Sequence, residues 1–93
     1  MAEMPWEKSL RERAERYRAQ RAADVQRAAW LRTTRLQIGA TQLHLAVVLD
    51  VGQSTVSFWE KAERSVPAEI VERWEEACRT AVKLHQVRRR RGS

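Results

Sequence analysis

Apolar positions in the first third of the chain follow a rough spacing of three or four residues, with one gap of eight between Tyr17 and Val25: Trp6, Leu10, Ala14, Tyr17, Val25, Ala28 and Leu31. That spacing marks one face of a helix. Pro5 suits a helix start, where its missing N–H is not needed. Gly39 suits a helix stop, because it takes left-handed backbone angles without strain. No Pro or Gly lies between them. The pattern therefore predicts either one long helix of about 45–50 Å, or a mobile, partly helical arm joined near Ala23-Asp24 to a core helix. The first half, EKSLRERAERYRAQRAA, is mostly charge and alanine. Its apolar stripe is thin, so it packs on a partner chain or stays solvated.

After Gly39 the pattern shortens. ATQLHLAVVLDV reads as a brief helix with Thr41 as N-cap, its hydroxyl accepting a backbone N–H. Leu43, Ala46, Val47 and Leu49 would face inward. Asp50 sits where that helix ends and tolerates turn conformations. Val51 would plug the core, and Gly52 would cap the next helix, from Gln53 to about Lys61. There Val56 and Trp59 point in, with Glu60 alongside, and Gln53, Ser54, Ser57 and Phe58 point out. AERSV is a loop. Pro67 opens a last helix with an apolar stripe of Ile70, Val71, Trp74, Ala77, Cys78, Ala81 and Val82. The tail from Val87 is basic and expected to be disordered. No internal repeat is present.

Composition narrows the class. The 93 residues fit one domain, and 43 % hydrophobic with 32 % charged residues suffices for a small core. Gly and Pro are scarce and helix formers abundant, which favours an all-helical fold. The single Cys78 excludes an internal disulfide and fits a reducing cytoplasm. No apolar run approaches the roughly 18–20 residues of a membrane span. The N-terminus lacks the apolar stretch of a secretory signal.

The formal net charge is +6, so a polyanionic partner is plausible. The ends carry the excess, including Arg88-Arg89-Arg90-Arg91. Between Leu36 and Glu60 there is no Lys or Arg at all. If the chain binds nucleic acid, that segment contributes something other than bulk charge.

Two short helices joined by a tight turn, the second opening on polar side chains, form a helix-turn-helix. The stretch TQLHLAVVLDVGQSTVSFWEKAERSVP goes further and resembles the Cro and lambda-repressor type, the XRE family. The match rests on Arg35, Gly39, Thr41, Gln42, Leu45, Ala46, Leu49, Val51, Gln53, Ser54, Val56, Ser57, Trp59, Glu60, Arg64 and Pro67, at the family's spacing. It covers about residues 31–67. The resemblance implies sequence-specific binding of double-stranded DNA by a transcriptional regulator, most often a dimeric repressor.

It also implies roles. Gln53 and Ser54 open the helix that would enter the major groove, and a Gln amide suits the adenine edge. Phe58, one turn on, could pack on a thymine methyl. Gln42 matches the family's Gln that holds a phosphate. Thr41, with the amides near it, would add phosphate hydrogen bonds at a helix N-terminus. Thr55, Ser57, Lys61 and Arg64 are further backbone contacts. Arg35 and Glu60 match the family's structural ion pair. Three departures stand out: Asp50 and Ala62 occupy positions where the family often has Gly, and Val66 adds a residue before Pro67.

Plainer roles remain open for some residues. Gln53 and Ser54 also fit a solvated helix start, and Phe58 a protein interface. Trp30 and Trp74 are expected in the core, along with Leu45, Leu49, Val51, Val56 and Trp59. His44 and His85 lie far apart in sequence, and with one Cys no metal-ligand spacing fits. Arg88–Arg91 either solvate a tail or track phosphates. No cofactor, and no convergent acid, base and nucleophile, suggests an enzyme.

The expected architecture is an all-α, lambda-repressor-like bundle of about five helices. Residues 1–23 form a helical arm, 24–86 the DNA-binding domain with its helix-turn-helix at 41–61, and 87–93 the tail. A homodimer is expected, formed by the last helix, the arm or both. A protein partner for the arm is the alternative use. The size suits a cytoplasmic phage, plasmid or antitoxin-type bacterial regulator.

Overall fold

The computed structural model describes residues 2–91. Among these, four helices follow one another: α1 (Pro5–Ile38), α2 (Gln42–Leu49), α3 (Gln53–Glu60) and α4 (Ala68–Arg91). The described residues are all-helical, with four helices in place of about five, because residues 5–38 run without a break. A long apolar stripe with no Gly or Pro gives no place to interrupt them.

Three helices end in the same way. At Gly39, Asp50 and Ala62 the backbone turns left-handed, with φ of 92°, 56° and 58°. In each case an amide just past the turn reaches back five residues: Ala40 N–H to Arg35 O, Val51 N–H to Ala46 O, and Glu63 N–H to Phe58 O. This Schellman stop satisfies carbonyls that a helix end would leave open. Glycine does it without cost, Asp at small cost, and Ala against its Cβ. At the other end of α2, the Thr41 hydroxyl accepts the His44 amide at 3.1 Å.

α4 lies against α1 and α2, and α3 lies against the same two helices. Between them Leu31, Leu45, Leu49, Val56, Trp59, Trp74, Ala77, Cys78 and Ala81 form one buried cluster. Trp74 is sealed, and its indole N–H donates to the Leu31 carbonyl at 2.8 Å. Trp59 meets it edge-on, ring centroids 6.4 Å apart. These two rings fix the spacing of α3 and α4.

Three inward assignments change. Leu43 and Val47 are about half exposed, while Leu45, Ala46 and Leu49 are buried. α2 has only two turns and is apolar almost all round, so its sequence does not set its phase; the Thr41 cap and the turn at Asp50 do. Trp30, expected in the core, is 43 % exposed and borders a shallow groove with Ala23 and Val71.

The N-terminal part of α1 leaves the body. From Pro5 to Gln20 only Ala14 is even partly covered. Contact with the body begins at Arg21, whose guanidinium donates to the Ala62 carbonyl. The molecule accordingly measures 75 × 21 × 18 Å. At the other end, α4 continues to Arg91 past the expected start of the tail at Val87. The side chains of residues 88–91, and residues 92–93, lie outside the described residues.

Candidate nucleic-acid interface

One buried ion pair ties the C-terminal end of α3 to α1. Arg35, near the end of α1, reaches Glu60 at the end of α3 through two hydrogen bonds, Nε to Oε2 at 2.7 Å and Nη2 to Oε1 at 2.9 Å. The third arm of the guanidinium donates to the Ala40 carbonyl at 3.0 Å. Glu60 Oε1 also accepts from the Gln42 amide at 3.1 Å. Both charged residues are buried, yet among the described residues no buried side-chain polar atom lacks a partner. The hydrogen bond to Glu60 raises the Arg35 pKa, against burial, which lowers it. α1, α2 and α3 are thus joined at one carboxylate.

With its C-terminal end held this way, α3 presents its N-terminus. Gln53 and Ser54 are exposed there, directly after the Gly52 cap. Among the described residues neither side chain makes a hydrogen bond. An amide and a hydroxyl with open donors and acceptors stand at the positive end of a helix, beside its unpaired first N–H groups. Phe58, further along, is half-buried, and the Arg64 guanidinium stacks on its ring at 4.5 Å. That contact holds Arg64 against α3. Thr55 is also half-buried.

A second feature lies between α1, α2 and α3. Arg32, Arg35, Gln42, Ser57, Glu60 and Lys61 line a polar groove. Arg35 is neutralised by Glu60, so Arg32 and Lys61 supply its uncompensated positive charge. Both are exposed and, among the described residues, form no salt bridge. The groove gathers Gln42, Ser57 and Lys61 from the sequence-based set and adds Arg32. A readable signal for Arg32 existed: it stands three residues before Arg35, and so close to it on a helix.

Thr41 stands differently. Its hydroxyl caps α2 and lies 2.5 Å from His44 Nδ1, so it is already engaged. The open donors at that helix start are the backbone amides of Gln42 and Leu43. His44 and His85, distant in sequence, meet edge-on with centroids 4.6 Å apart. Among the described residues no three His, Cys, Asp or Glu side chains cluster to hold a metal ion.

A short helix braced by a second one, with unengaged polar side chains at its exposed start and cations along its flank, defines a helix-turn-helix DNA-binding module. The chain is a member of the XRE-type helix-turn-helix family: residues 31–83, more than half of it, match a family model described as helix-turn-helix. It is thereby a DNA-binding transcription regulator of that type. No curated protein and no solved structure matches the chain. Among the described residues, no helix is long and apolar enough to cross a membrane.

Proposed function

We propose that the protein is a sequence-specific repressor that binds a pseudo-palindromic operator as a homodimer, reading the major groove with Gln53, Ser54 and Phe58. The observation that supports this most is the unengaged pair Gln53 and Ser54 at the exposed start of a helix locked at its other end by Arg35–Glu60. Gln53 would pair with an adenine edge, and Phe58, stiffened by Arg64, would meet a thymine methyl. Gln42, Ser57, Lys61 and the amides at the start of α2 would hold the flanking phosphates, with Arg32 added to that set. α2 and α3 carry no Lys or Arg, so the salt-dependent part of binding falls to these few edge cations.

One α3 reads only a few base pairs. Two copies on half-sites about one helical turn apart would supply the missing affinity. The distal part of α4, where Val87 is exposed, is the surface we assign to that pairing. Such a protein belongs in the bacterial cytoplasm, as a phage, plasmid or antitoxin-type regulator.

Selection of bound duplexes from a random pool at about 150 mM salt tests this reading. The expected product is a two-fold-related motif, lost in Gln53→Ala. Binding without enrichment, fading as salt rises, would overturn it.

A further inference from the structure

The face of α1 that the body buries does not stop where the body stops. Trp6 and Asp24, Leu10 and Ala28, and Tyr17 and Arg35 are each eighteen positions apart in the sequence. That is about five turns at 3.6 residues per turn, so each pair shares one bearing. Ala28 and Arg35 are buried, whereas Trp6, Leu10 and Tyr17 are 59 %, 55 % and 73 % exposed. The arm therefore carries two aromatics and a leucine on a continuation of the core-facing stripe, each more than half exposed among the described residues.

Charge on the arm is distributed around that stripe. Its carboxylates are engaged locally: Glu7 accepts from the Met4 amide, Glu12 pairs with Lys8 at 4.0 Å, and Glu15 with Arg11 at 3.9 Å. Among the described residues, Arg13, Arg16 and Arg18 form no salt bridge. On the helical wheel Arg13 and Arg16 flank one side of the stripe and Arg18 the other. The result is an apolar face with a basic border.

We infer that this face is a docking helix for an acidic protein partner, one that offers an apolar groove edged by carboxylates. The apolar anchors need an apolar counterpart, which a phosphate backbone does not supply. A second copy of the arm would bring two sets of uncompensated arginines along one seam, where like charges repel. Carboxylates bordering a groove would satisfy the arginines as the anchors are buried, in the helix-in-groove mode of recognition. The inference stands apart from operator reading by α3.

The test uses the full-length, 15N-labelled chain at about 150 mM salt. The probe is an amphipathic helical peptide of about four heptads, leucine at the core positions and glutamate at their flanks. A matched peptide carries lysine in place of glutamate. The expected result is movement of the Trp6 indole and the Leu10 and Tyr17 amides with the glutamate peptide alone. The buried Trp59 and Trp74 indoles stay fixed and report an intact body. Tyr17→Ala weakens binding at least about tenfold, and a joint Arg13→Gln, Arg16→Gln, Arg18→Gln variant removes the preference for glutamate. Equal response to both peptides would overturn the proposal. So would arm signals that change with protein concentration and recover in Leu10→Asp, which would assign the face to a second copy. Arm signals that move with duplex DNA would assign it to nucleic acid and overturn it equally.

Discussion

Leu10 and Leu31 lie on the same side of one helix, yet the first is more than half exposed and the second fully buried. The two halves of α1 differ less in helix-forming character than in what the rest of the chain lays against them. In the covered half the inward positions are modest: Ala28, Leu31, Thr34 and a paired Arg35. In the arm they are larger, Trp6 and Tyr17 among them. Side-chain size alone does not locate a core; neighbours do. The comparison also separates two kinds of ion pair on a single helix. Arg35–Glu60 is buried and shared by three helices, whereas Lys8–Glu12 spans one turn in solvent.

Removing Glu60 is expected to have the largest effect on stability. Glu60→Ala leaves Arg35 buried without its carboxylate and is expected to cost about 3–5 kcal/mol, read as a lower urea midpoint. Leu31→Ala should cost about 2–5 kcal/mol, while Leu10→Ala should stay within about 0.5 kcal/mol. Equal losses at the two leucines would show that the arm is packed in solution. At the boundary between the halves, Ala62→Gly relieves a left-handed alanine and is expected to gain about 1 kcal/mol in thermal unfolding, with the Arg21 contact kept.

The covered half should also respond to alkali. Burial pushes the Cys78 thiol up to about 11 from its ordinary 9.0, against the nearby Arg35, which lowers it. A raised folded pKa means that the folded state holds the proton longer. This stabilisation is complete below pH 9 and is lost as pH climbs toward 11 and beyond. Denaturation midpoints across that window should fall in the native chain, and the slope should flatten in Cys78→Ala. The smallest effect is expected from Glu12→Ala, under about 0.5 kcal/mol, with arm helicity by circular dichroism slightly lower.

Much of the helix-turn-helix was legible because its signals are local. The Thr41 cap, the Gly39 stop and Pro67 before the last helix depend on neighbours within a turn or so. Asp50 is readable as a helix end because Asp tolerates the turn, whereas at Ala62 the same left-handed turn is made by a residue that does not favour it. What stayed illegible depends on tertiary geometry. A run apolar on almost every side does not set the phase of α2, so Leu43 and Val47 read as inward as readily as Leu45. Trp30 reads as core, but its side of α1 has only a shallow groove to fill. Arg32 is within reach of the sequence through its place three residues before Arg35, but the groove it lines exists only once α2 and α3 fold against α1. The meeting of His44 with His85 joins residues that no spacing rule connects. For the site, the sequence supplied the side chains along α3 and the Arg35–Glu60 partners, but not the shared use of Glu60 by Gln42.

The unbroken course of α1 has a mechanical consequence. Between Pro5 and Gly39 there is no glycine or proline to act as a hinge. The radius of gyration is 18.7 Å, against about 12 Å for a compact chain of this length. Trp6 sits roughly 22 Å of helix beyond Arg21, the last residue tied to the body. A rod rooted in the core transmits orientation as well as distance. Whatever is seated at its tip is held at a set bearing to α3, as by a ruler rather than a tether.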